Sequence, residues 1–98
     1  MINSFRDTWL KDFFHNDVHH KKVPASIRRN LFRKLQLIDD ATCDLDLRSP
    51  PSNHFEKLVG SLKSKYSIRV NRQWRFIFSW DGARGEADDI YLDSHDYR

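Results

Sequence analysis

A second cysteine is missing from this 98-residue chain. Cys43 stands alone, so no internal disulfide can form, and the chain suits a reducing compartment, the cytoplasm. A lone cysteine of this kind reads as a small, semi-buried hydrophobe rather than a catalytic thiol. No apolar run is long enough to span a membrane, and Arg6, Asp7 and Lys11 interrupt what would otherwise resemble a leader over residues 1–18. No repeat, low-complexity tract or linker divides the chain. Residues 1–98 are therefore expected to form one domain that buries roughly 60–65% of its unfolded surface around a single core. His15, His19 and His20 near Asp17 lack the spacing of a closed zinc site, so neither a metal nor a cofactor is expected.

Acids are absent between Asp17 and Asp39, where Lys21, Lys22, Arg28, Arg29, Arg33 and Lys34 accumulate. Residues 86–98 do the reverse: five acids against Arg98 give −4, which leaves +7 on the rest of a chain whose total is +3. A basic surface is the footprint of a polyanion partner. A charged run on an amphipathic helix is also its ordinary solvated face, so charge alone decides nothing.

What is present divides by period. Trp9, Leu10, Phe13 and Phe14 form one stripe of a helix in "RDTWLKDFFHN", which Asp7 is placed to cap. Pro24 suits the first turn of a second helix running to about Asp40, with Ile27, Leu31, Leu35 and Ile38 inward. "INSF" reads as a short first strand and "LDLRSPPSN" as a proline-bearing connection. Beyond it the period becomes two, and strands are expected at about 54–58, 65–71, 74–80 and 87–93, with turns at "VNRQ" and "DGARG". Helices followed by an antiparallel meander predict an α+β domain, its two N-terminal helices packed on one sheet face. Trp74, Phe76 and Phe78 then face the helices. Arg69 and Arg75 fall on the reverse face with Gln73 and Ile77, expected to be open to solvent. A guanidinium fixed there is well placed to fork onto phosphate oxygens.

The fragments "INSFRD", "LQLIDDATCDLDLRSPPSN", "LVG", "YSIRVNRQWRFIF" and "HDYR" occur in an order and spacing that resemble the HigB branch of the RelE-like toxins of bacterial toxin–antitoxin systems. The match covers nearly the whole chain. The resemblance implies a compact domain with a curved antiparallel sheet, and metal-free cleavage of messenger RNA in the decoding site of the ribosome. It implies a HigA-like helix-turn-helix antitoxin as partner, contact with operator DNA only through that complex, and no membrane partner.

Residue by residue, the resemblance makes Arg75 the strand arginine that meets the phosphate, with Asp96 and Tyr97 as the C-terminal pair. Arg98 stands where the family has histidine, with His95 a neighbour of opposite facing. Glu56, rather than His54, aligns with a second family histidine and is the candidate base. Val59, Ser61 and Leu62 depart from the family at the turn. Lys57, Lys63 and Lys65 are positioned to restore the charge lost there, and Arg69 and His54 complete the expected RNA- or ribosome-binding set. Two function classes stay open: a ribosome-dependent endoribonuclease, and a non-catalytic RNA- or ribosome-binding module that acts with its antitoxin as an operon co-repressor.

Overall fold

The computed structural model describes residues 1–21, 23–62 and 64–94. Helix α1 covers Thr8–Asn16 and buries Leu10 and Phe13, as its stripe predicts. The expected carboxylate cap at Asp7 is not made. Its Oδ2 accepts the Leu92 amide at 3.2 Å instead, and the helix closes on the Asp7 carbonyl, which accepts from Leu10 at 3.1 Å. The carboxylate is drawn away because the chain before it runs beside the last strand. There "INSF" makes two isolated parallel bridges, Ile2 to Ala87 and Phe5 to Ile90, rather than a continuous ladder.

Pro24 precedes a 3₁₀ turn, Ala25–Ile27, which leads into α2, Arg28–Asp40. Ile27, Leu31, Leu35 and Ile38 are all buried. Lys34 does not join the solvated face that the basic run suggests. Its ammonium donates to Oδ1 of the fully buried Asn53, and burial, with the charge of Arg33, pushes its pKa below the ordinary lysine value.

The connection read from "LDLRSPPSN" is more ordered than a loop. Asp44–Arg48 form a short helix, α3, and Pro51–Asn53 a 3₁₀ turn. Asp46 starts α3 by reaching back: its Oδ2 accepts from the Thr42 amide at 3.0 Å and the Thr42 hydroxyl at 3.1 Å. Those bonds hold the Asp46 carboxyl below its ordinary pKa. Leu47 anchors the helix in the core, and Asn53 donates to the Leu47 and Ser49 carbonyls, each at 3.1 Å. Local polar bonds and one buried leucine thus order a segment whose prolines suggested a plain connection.

The sheet is an antiparallel meander, β1 Glu56–Lys57, β2 Tyr66–Arg69, β3 Trp74–Asp81 and β4 Glu86–Ser94, in that spatial order. β1 is shorter than its alternation suggested. The β2–β3 turn is closed by Asn71, whose Oδ1 accepts from the Gln73 and Trp74 amides at 2.8 Å. At the β3–β4 turn Asp81 Oδ1 accepts from Ala83 at 3.0 Å and Arg84 at 3.2 Å. Gly85 there has φ +68°, and a Cβ would lie 2.8 Å from the Thr42 backbone, so glycine lets this hairpin close onto the end of α2.

Leu10, Phe13, Leu31, Leu35, Ile38 and Leu47 pack with Ile68, Phe76, Phe78 and Ile90 in one core. Each fully enclosed side chain of this size contributes about 1.5–3 kcal/mol. The reverse face departs from expectation at its centre, where Ile77 is only 1% and Ser67 3% exposed. Among the described residues no helix is long and apolar enough to cross a membrane.

Candidate functional site

Strand register arranges the reverse face in three rows. Glu56 lies opposite Ser67, Ser67 opposite Ile77, and Ile77 opposite Tyr91. One row along, Arg69 lies directly opposite Arg75 and Arg75 opposite Asp93. The two arginines are immediate cross-strand neighbours. Like charges in that position repel, and the flanks show what offsets the repulsion. Asp93 Oδ2 accepts from Arg75 Nε at 3.0 Å. Arg69 Nη1 lies 3.4 Å from His54 Nε2. A guanidinium only donates, so this contact is a hydrogen bond when that imidazole nitrogen is unprotonated.

Among the described residues Arg75 is anchored through a single atom. Among the described residues its side chain has no hydrogen-bond partner but Asp93, reached through Nε. The two Nη groups, a fork of the geometry that can meet phosphate oxygens, make no hydrogen bond to another described residue. The side chain is 20% exposed, enough to be reached and too little to wander. Glu56 is exposed at the rim of the same face, one row from the arginine pair.

On the other side of the central row, a β-bulge between Ile77 and Ser79 on β3 sets two β4 residues, Asp89 and Ile90, against Phe78. Ile90 enters the core. Asp89 takes the left-handed conformation, φ 58°, its amide donating to Ser4 Oγ at 2.8 Å. Its carboxylate accepts from Lys65 Nζ at 2.7 Å, and from Arg6 Nε at 3.1 Å and Nη2 at 2.6 Å. Hydrogen bonds from Arg6, then Lys65, hold the Asp89 carboxyl at about 2, and the same contact raises the pKa of Arg6. Arg6 also lies over the Tyr91 ring, 4.0 Å from its centroid.

The structure therefore brings Arg75, Arg69, His54, Glu56 and Lys65 onto one face. Lys65 is largely enclosed, its ammonium bonded to Ser79 at 2.9 Å as well as to Asp89. Lys57 is not with them: it lies opposite Tyr66, on the alternate face of β1. Lys63, His95, Asp96, Tyr97 and Arg98 lie outside the described residues. Sequence reasoning missed Arg6, Asp89, Tyr91 and Asp93. Asp93 was within reach, since strand alternation sets it beside Tyr91 on one face. Arg6 carried no signal, because nothing in "INSFRD" tells which strand that segment joins.

The family model described as the RelE-like toxin of type II toxin–antitoxin system HigB matches residues 3–95. Toxin HigB-1 of Vibrio cholerae serotype O1 is 48% identical over 97 residues, which cover 99% of this chain and 100% of that one. An uncharacterized protein of Haemophilus influenzae is 41% identical over 93 residues, 95% of this chain and 90% of its own.

Proposed function

The chain belongs to the HigB-like, RelE-like toxins of type II toxin–antitoxin systems, and on that premise we propose that it is a ribosome-dependent endoribonuclease that cuts messenger RNA in the decoding site without a metal. A type II toxin implies an antitoxin, and the reading here is a HigA-like helix-turn-helix protein, through which alone the toxin reaches operator DNA. The observation that carries the nuclease reading is the cross-strand pair Arg69 and Arg75, on the face away from the helices, with Arg75 anchored through Nε.

Cleavage without a metal uses the ribose 2′-hydroxyl as nucleophile on the adjacent phosphate. It needs a base at that hydroxyl, a proton for the departing 5′-oxygen, and positive charge where the phosphorane-like transition state gathers negative charge. Arg75 supplies the charge through its two Nη groups, and Arg69 steadies the same phosphate from the opposite strand. Glu56, on the rim of that face, takes the role of base. Asp96, Tyr97 and Arg98 belong to the proposed site through the family motif, Tyr97 to stack on a base or donate a hydrogen bond. His54, Lys57, Lys63 and Lys65 are proposed to contact the RNA or ribosome. Of these, Lys65 is already engaged with Asp89, and Lys57 points to the other face, so His54 and Lys63 are the stronger members.

The test is translation of a defined message by purified ribosomes with the toxin, followed by mapping of 5′ ends. Site-specific cuts are expected, and Arg75→Ala should slow them about a hundredfold, roughly 3 kcal/mol of lost transition-state stabilisation. A decrease below about threefold would remove Arg75 from the chemistry. A second reading, a binding module without catalysis, is favoured by Arg98 standing where the family motif has histidine. It predicts a message that is bound but intact.

A further inference from the structure

Arg6 is held in a way that a simple surface ion pair does not require. The Asp89 carboxylate meets its guanidinium side-on through two bonds, 3.1 Å from Nε and 2.6 Å from Nη2, which fixes the plane as well as the position. The Arg6 Cζ lies over the Tyr91 ring, 4.0 Å from its centroid. Asp89 is itself pinned by Lys65 at 2.7 Å, so both supports of the guanidinium are anchored in the sheet. Even so, 48% of the Arg6 side chain remains exposed. A flat, delocalised cation is thus held against an aromatic ring, while much of the side chain still meets solvent.

Its place on the sheet gives this arrangement a direction. Tyr91 is the cross-strand partner of Ile77, and the next residue on the same face of β4, Asp93, is the partner of Arg75. Residues two apart on a strand are separated by about 7 Å. The Arg6 platform therefore stands one row beyond the arginine fork, beside the outer edge of β4. Unstacked bases of single-stranded RNA are bound by stacking on aromatic rings or on guanidinium planes.

We infer that Arg6, clamped by Asp89 and backed by Tyr91, is a stacking platform for a nucleobase adjoining the phosphate held at Arg75. The inference rests on the nuclease reading above and adds a base-binding subsite to it. The platform recognises a flat ring rather than a hydrogen-bonding edge, so it favours purines modestly, through their larger overlap, and accepts every base.

The probe is a message carrying 2-aminopurine in the decoding-site codon, with 2′-O-methyl riboses there to block cleavage, on purified ribosomes titrated with the full chain. Binding of the wild-type chain should quench the probe. Arg6→Lys keeps the charge and an ion pair with Asp89 but loses the plane. It should abolish most of the quenching and weaken binding roughly 5- to 100-fold, with the salt dependence of binding unchanged. Tyr91→Leu keeps the Arg6–Asp89 clamp and removes its backing, and should give a smaller loss of the same kind. Thermal unfolding of each variant separates this from loss of fold. Quenching by folded Arg6→Lys equal to wild type overturns the platform, as does a weakening explained wholly by a reduced salt slope. If wild type cuts the unmodified message yet leaves the probe unquenched, the platform fails and the nuclease reading stands. If wild type neither binds the programmed ribosome nor cuts, both fail together.

Discussion

Phe76 and Phe78 on one face of β3 are fully enclosed, whereas Arg75, between them and Trp74 in sequence, faces the other way and keeps a fifth of its side chain in solvent. The helix-side face is held by apolar contact that has no direction and scales with the area removed from water. The reverse face is held by directed bonds: Arg75 to Asp93, Lys65 to Ser79 and Asp89, Arg6 to Asp89 and over Tyr91. Exposed ion pairs contribute little to stability. What such a network does achieve is to set the orientation of cations that would otherwise swing on long side chains. One face therefore carries most of the folding free energy, and the other fixes the positions of its charged groups.

That contrast can be broken by measurement. Phe78→Ala should cost about 3–5 kcal/mol in chemical denaturation, the penalty of a large cavity in an enclosed site. A loss below about 1 kcal/mol would mean that the helices do not depend on this face. Arg75→Ala should move the other way in the comparison: cleavage falls about a hundredfold, while stability changes by about 1 kcal/mol or less. A stability loss as large as that of Phe78→Ala would make Arg75 a structural residue. Asp89 tests the directed bonds through pH. Its folded carboxyl sits at about 2, below the ordinary value of 3.8, so its contribution is complete above the unfolded pKa and disappears as pH falls through about 2. The side chain is 38% exposed, and solvent screening keeps the effect to about 1 kcal/mol or less. The stability difference between wild type and Asp89→Asn should shrink from pH 5 to pH 2. A constant difference would show that the ion pairs to Arg6 and Lys65 are not its origin.

The smallest expected effect sharpens the division between faces. Arg69→Ala should lower the salt slope of RNA binding by about 0.7 for the lost phosphate contact. Lys57→Ala, on the alternate face of β1, should change it by less. Equal changes would mean that the nucleic acid wraps around the edge of β1 rather than lying on one face.

The elements were largely legible because period and punctuation are local properties. Leu31, Leu35 and Ile38 at helical spacing, and Phe76 and Phe78 at strand spacing, are buried where their patterns put them. The exceptions share a cause. Asp7 does not cap α1 because Leu92, 85 residues away, offers its carboxylate another donor. Lys34 leaves the solvated face because Asn53 supplies an acceptor inside. Ile77, read as exposed by alternation alone, is covered. The site was legible in part for the same reason. Arg75 and Arg69 announce themselves as basic residues in an aromatic hairpin, but their mutual distance depends on register, and Arg6 and Asp93 become neighbours of the site only through strand pairing.

By itself the order of residues determined the two longer helices and the hairpin strands, most of the side chains that turn inward, and the family to which the chain belongs, since each depends on short-range pattern or on shared sequence. Only the folded molecule decided which charges meet. Arg6 reaches Asp89 across 83 residues, and a contact of that span depends on how the strands align, where an offset of one residue would turn every side chain to the opposite face.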